Sequence, residues 1–266
     1  MLKKCLFILC LTGPLLAQSG GLTPTVKPVS MFAVNAPITT LGPDAALQRY
    51  IEHRQEQSSR LPSYESETSV HAELPDSAQH GDYELIANYR ADPRALNYVS
   101  VHFEGDRFVK SNIILRILQS EADHVRKKDD GSTAINEQNY KFSYAGIEQV
   151  HNRQAHVFHL KPRRKKPGLF KGQISLDAST GSMLRMEGTL VKSPSMFVRD
   201  INFVQDFEEF EGFTLPTELH SWARARFIGR TMVNIVHRSY KLQRDSERAH
   251  RQLPEREISD RGSGTN

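Results

Sequence analysis

His151, His156 and His159 fall close together in the 266-residue chain, and imidazoles so grouped are the first side chains to test for metal chemistry. The spacing argues against it. Side chains three apart on a strand, as His156 and His159 are, point to opposite faces, and no H-E-x-x-H pattern or neighbouring carboxylate completes a ligand set. They read as ordinary surface or cross-strand histidines. Asp206, Glu208, Glu209 and Glu211 cluster just before a hairpin, but the oxygen-ligand spacing of a calcium loop is missing, so they read as a solvated turn. Nucleophilic catalysis has no better footing, because the chain holds no G-x-S-x-G elbow, no P-loop and no G-x-G-x-x-G. Its two cysteines, Cys5 and Cys10, both lie near the N-terminus. These residue types predict a non-catalytic protein with no metal site and no cofactor.

The sharpest local feature is basic. Lys161-Pro162-Arg163-Arg164-Lys165-Lys166-Pro167-Gly168, with Lys171 just beyond, lies between two strand-like runs and so forms a hairpin loop whose charges project into solvent. Such a loop could touch anionic lipid headgroups, at about 1 kcal/mol per cation near a membrane surface, or an acidic protein partner. It could equally be a solubilising loop. Nucleic acid is not an expected partner. The chain has 35 Lys and Arg against 31 Asp and Glu, and loss of Lys3 and Lys4 with a leader would leave 33 against 31, too weak a field to seek a polyanion.

That leader is expected over residues 1–17. Lys3-Lys4, the apolar run from Cys5 to Leu11, the Gly13-Pro14 break and Leu15-Leu16-Ala17 make a charged start, a short apolar core and a small-residue exit, as in a secretory signal peptide. The run is shorter than the ~20 residues that span a bilayer. An exported chain cut there carries no thiol, which removes disulfides and a cysteine nucleophile from consideration. A periplasmic or secreted location follows. Residues 18–41, with Pro24, Pro28 and Pro37, read as a linker. Residues 243–266 mix acidic and basic side chains with almost nothing apolar and read as a disordered tail. A single domain is expected over 42–242.

Two helices are expected inside it. One opens at Pro43-Asp44 and runs to Leu61 with Leu47, Tyr50 and Ile51 at helical spacing. The other follows Ser111 as N-cap, with Ile113, Ile114, Ile117, Leu118, Ala122 and Val125 as its stripe. Short β-branched and aromatic runs fill the rest, from Tyr64 to Leu74 onward, with reversals at Asp177 to Gly181 and Phe210 to Gly212. Val99, Val101 and Phe103 alternate with Ser100, His102 and Glu104, which predicts one buried face. The fold class is mainly β: a large curved antiparallel sheet, or unclosed β-barrel, of about ten strands with two helices covering its concave face. Two helices are narrow for so large a sheet, which leaves room for an apolar cavity. Its expected lining is Ile114, Ile117, Leu118, Met186, Phe203 and Trp222. The competing reading is that Phe197, Phe203, Met186, Leu219 and Trp222 complete a dry core.

The stretch from Tyr140 to Leu242, with Tyr-Ala-Gly-Ile-Glu-Gln-Val at Tyr144, Gln-Ala-His-Val-Phe-His-Leu-Lys-Pro-Arg-Arg at Gln154, Gly-Gln-Ile-Ser-Leu-Asp-Ala-Ser-Thr-Gly at Gly172 and Phe-Thr-Leu-Pro-Thr-Glu at Phe213, resembles the bacterial periplasmic lipoprotein-carrier superfamily, the LolA/LolB-like and RseB-like group. The resemblance implies an unclosed barrel under helices with a cavity for acyl chains. The expected function is an exported carrier of an acyl chain or lipoprotein in outer-membrane lipoprotein or lipid sorting. The alternative is a sensor or scaffold module that binds another envelope protein.

Overall fold

The computed structural model describes residues 40–127, 131–193 and 198–243. The expected leader, nearly all of the linker, Phe197 and all of the tail but Gln243 lie outside the described residues. Helix α1 (Pro43–Arg60) begins where expected, because Pro43 pre-sets the first turn, and Asp44 in the first turn and Arg60 in the last both oppose the helix dipole. Among the described residues ten strands carry the rest of the fold: β1 (Tyr64–Leu74), β2 (Gln79–Arg90), β3 (Ala95–Gly105), β4 (Tyr140–Val150), β5 (Arg153–Pro162), β6 (Phe170–Asp177), β7 (Met183–Leu190), β8 (Val198–Phe210), β9 (Phe213–Ala225) and β10 (Gly229–Leu242). Among the described residues no helix is long and apolar enough to cross a membrane.

All ten strands form one antiparallel sheet in the order β3-β2-β1-β10-β9-β8-β7-β6-β5-β4. β3 and β4 are its two edges, so the barrel does not close. The chain between them, α2 (Arg107–Val109), a π-helical stretch (Lys110–Ile114) and α3 (Leu115–Lys127), crosses that gap. One buried cluster on the inner face joins Val70 of β1, Tyr83 of β2, Phe158 of β5, Ile174 of β6, Phe203 of β8, Leu219 of β9 and Ile235 of β10. Primed turns make the hairpins tight, with His151 and Asn152 at φ 48° and 62° and Glu211 and Gly212 at φ 49° and 83°. At the β6–β7 reversal, Asp177 Oδ1 accepts from the backbone N–H groups of Ser179 and Thr180, both at 2.8 Å, while Oδ2 takes Arg153 Nε at 2.7 Å.

Two local expectations are corrected. The second helical segment starts at Arg107 rather than after Ser111, which sits inside the π-helical stretch. That wider turn buries Val109 and Ile114 together against the sheet. On β3 the alternation breaks, with Val99 55% and Val101 59% exposed. Glu84 faces His102 and Leu85 faces Ser100, so Val101 is a bulged extra residue that moves Val99 to the outer face.

A second buried cluster beneath α3 contains Leu61, Tyr64, Tyr89, Leu96 and Val125. Within it Glu121 is buried and accepts from Tyr98 Oη at 2.6 Å. Burial raises the Glu121 pKa above the usual carboxylate range. The folded chain therefore holds this proton to higher pH than the unfolded chain. Its contribution to stability is complete below the ordinary carboxylate value and is lost as pH rises through the raised folded value. Glu121→Gln is expected to remove most of that decline, seen as a smaller difference between urea midpoints at about pH 5 and about pH 8.

Candidate functional site: a small cavity under helix α1

Helix α1 lies across the concave face but is only lightly seated. Of its eighteen residues, Ala46 and Tyr50 are buried, with Leu47 and Ile51 partly so. Near its C-terminus, Gln57 holds the sheet through a reciprocal pair: Nε2 donates to Thr214 O at 2.7 Å and Oε1 accepts from Thr214 N at 2.9 Å. Near its N-terminus it rests on Gly181, at φ 76°, where a Cβ would come within 2.9 Å of both Ala46 O and Arg49 Cβ.

Between helix and sheet is a cavity of about 80 Å³. Its floor is Met183, Met186, Phe207, Leu215 and Pro216, its roof is Tyr50, and Arg54, His53 and Gln57 give it a polar rim. Arg54 Nη1 makes long contacts to Tyr50 Oη at 3.4 Å and Ile135 O at 3.5 Å. This volume is well below the roughly 300–1,000 Å³ of established ligand clefts. A hydrocarbon tail fits only if α1 moves.

Of the expected lining residues, Met186 borders this cavity. Ile114, Ile117, Leu118 and Phe203 are buried in the packed core, Phe203 edge-to-face with Phe170 at 5.1 Å between ring centroids. Trp222 is on the other side of the sheet. Leu219 pairs with Gln205 and faces inward, and with no bulge between them Trp222, three residues on, pairs with Asn202 and is 45% exposed. Parity alone separates the two. Met183, which the sequence reading missed, is the opposite case, and Phe207 and Leu215 complete the floor beside it. Met183 and Met186 are an odd number apart, yet both face inward because Ser175 faces Arg185 while Leu176 faces Met183, leaving Leu184 as a bulged extra residue.

The basic loop divides into two parts. Arg163 Nε donates to Glu137 O at 2.7 Å and Tyr140 O at 3.2 Å, and Arg164 Nη2 donates to Asn139 Oδ1 at 2.8 Å. Asn139 is itself fully buried and caps Gly131 O and Ala134 O. Arg163 and Arg164 thus fasten the segment that leads into β4. Lys165 is exposed and Lys166 half-buried. Lys161 and Lys171 are exposed on the outer face, where with Trp222, Thr189 and Asn202 they border an open depression floored by Gly172 and Gly188. The structure therefore places Lys161, Lys171 and Trp222, expected at two different sites, around one outer feature.

The histidines separate as their spacing suggests. His156 is buried, with Nε2 2.8 Å from Leu41 O and Nδ1 3.1 Å from Tyr144 Oη, whereas His159 is exposed on the outer face. His151 Nε2 lies 3.2 Å from Asp206, which also binds Arg185 through both carboxylate oxygens at 2.6 and 2.9 Å. Among the described residues no group of three or more His, Asp or Glu side chains is placed to hold a metal ion.

No family model and no curated protein matches the sequence. Solved structures do resemble it. A DUF1329 family protein from Desulfovibrio piger aligns at 9% identity over 77% of this chain and 94% of its own, with a TM-score of 0.41. The Pseudomonas aeruginosa MucA/MucB complex includes a chain that aligns at 14% identity over 76% of this chain and 99% of its own, with a TM-score of 0.26. A LolA superfamily protein from Nitrosomonas europaea is similar at 11% identity over 77% of this chain and 94% of its own, with a TM-score of 0.38.

Proposed function

We propose that this chain is an exported, non-catalytic carrier that shelters an acyl chain or similar apolar ligand beneath α1, in outer-membrane lipoprotein or lipid sorting. The observation that carries the reading is the cavity between a lightly seated helix and a floor of Met183, Met186, Phe207 and Leu215. Methionines adapt their shape to irregular apolar guests. Displacing α1 exposes this floor, and each Å² of apolar ligand surface buried there contributes roughly 25 cal/mol. Export is supported by the charged, apolar and small-residue succession from Lys3 to Ala17. The small resting volume favours a second reading, a module that binds another envelope protein and carries no lipid.

Native mass spectrometry of protein isolated from its own envelope separates the two. The carrier reading expects a population heavier by the mass of an acylated species, lost when the protein is denatured. Recovery of ligand-free protein in a stoichiometric complex with another polypeptide overturns it in favour of the partner-binding module.

A further inference from the structure

Three arginines stand side by side on the outer face. Arg199 of β8 pairs in register with Arg224 of β9, which pairs in register with Arg230 of β10, and all three are exposed. Like charges directly opposed across strands destabilise a sheet, so this row calls for an explanation beyond folding. Asp76 takes Arg230, accepting from its Nε and its backbone N at 2.8 Å each, and Arg230 and Arg224 hold the Asp76 carboxyl below the usual range. The other nearby carboxylates are Glu73, in register with Met232, and Asp200, in the bulge after Arg199. At the tip of the same hairpin, Arg226 lies 5.7 Å from the ring of Phe227, which at 78% exposure is the most exposed large apolar side chain among the described residues. Trp222 and Met232, opposed in register and each 45% exposed, flank the row on the same face.

The topology adds more charge at this end. In an antiparallel meander the β5–β6, β7–β8, β9–β10 and β1–β2 connections share one end of the sheet. The basic loop is the first of these, and Lys141, in register with Lys161, adds a second cationic pair on β4 and β5. The opposite end holds the acidic β8–β9 turn with Glu208, Glu209 and Glu211. Residues spread from 141 to 230 are thereby gathered into one cationic end on a chain of small net charge.

We propose that this end docks on an anionic phospholipid bilayer, with Arg199 and Arg224 on lipid phosphates and Phe227 at the headgroup level. Guanidinium groups bind phosphate bidentately, and aromatic side chains favour the membrane interface. An acidic protein surface would satisfy the arginines but gives no role to an apolar side chain as exposed as Phe227 at the hairpin tip. The inference is independent of what occupies the cavity, which lies toward the opposite end beside Met183 and Thr214.

The test uses sedimentation with vesicles of phosphatidylcholine alone or mixed with phosphatidylglycerol. Trp222, the chain's one tryptophan, is the fluorescent reporter. The full mature chain is expected to bind only the mixed vesicles, less at higher salt, with a blue shift of Trp222 emission. At about fivefold per cation near an anionic surface, Arg199→Gln with Arg224→Gln is expected to weaken binding by more than tenfold. Phe227→Ser is expected to weaken it severalfold with its salt dependence retained. Both variants keep Asp76 and Arg230 and the hydrogen bonds between them, and unchanged thermal midpoints verify the fold. Absence of binding to the mixed vesicles, equal binding to both kinds, or binding unaltered in either variant overturns the proposal. So does recovery of the arginine row in a complex with an acidic protein while vesicles are ignored.

Discussion

Gly172→Ala is expected to unfold the protein or to lower its stability by more than about 4 kcal/mol, the range reached only by gross disruption of packing or backbone. Gly172 and Gly188 face each other in register on β6 and β7. A Cβ on Gly172 would lie 1.9 Å from Glu187 O, 2.6 Å from Gly188 Cα and 2.8 Å from Glu187 C. All three are backbone atoms, so no side-chain rotation relieves the overlap, and β6 and β7 would have to part. Phe170 lies across Gly188, where a Cβ would come 2.8 Å from its ring, and packs in turn on Phe203. Parting these strands therefore opens the main core. Gly42→Ser is the control: it has φ −70° and nothing within 4 Å of its Cβ position. As the N-cap of α1 it should gain a few tenths of a kcal/mol from a serine. Urea denaturation followed by circular dichroism measures both, and a Gly172→Ala midpoint within error of the parent's removes the claim that these backbones need their glycines.

The same strands show how far the sequence was legible. Strand existence was readable because each strand carries β-branched and aromatic residues between turn signals, and β1 alternates inward and outward along its whole length, the extra residue at its register irregularity lying on β10. The side facing inward was readable only between bulges. Val101 on β3, Ala145 on β4 and Leu184 on β7 are each passed over in the register, and beyond each one a period of two assigns the wrong face. Trp222 is different, because β9 is regular from Leu219 to Trp222 and strict counting would have put it outside. The arginine row could not be read, since Arg199, Arg224 and Arg230 come together only once the register of three strands is known. The lining of the cavity was hidden for a related reason: Gln57 and Thr214 are 157 residues apart, and no local period links a helix to the strand on which it rests.

Met186→Trp is expected to abolish uptake of a fluorescent fatty acid, reducing its affinity by tenfold or more, while the chain stays folded. Met186 is 6% exposed and borders the cavity under α1, so a larger ring system there extends into space that the ligand must enter. Overfilling a close-packed core costs about 1–3 kcal/mol, and the adjoining void absorbs part of the added volume, which places this variant at the low end. Gly181→Ala acts on the same helix in the opposite direction. Its Cβ would press on Ala46 O and Arg49 Cβ from a backbone at φ 76°, loosening the N-terminal half of α1 and leaving the Gln57–Thr214 tether in place. Faster amide exchange along α1 and faster entry of the probe are expected, with the sheet's exchange unchanged. The two variants together separate a gated interior from a merely packed one. If helix motion admits the ligand, filling the floor blocks binding at equilibrium and loosening the roof accelerates it. Equal affinity of Met186→Trp and the parent chain, or a parent chain that takes up no probe even with Gly181→Ala, would leave the space beneath α1 without a role in carriage.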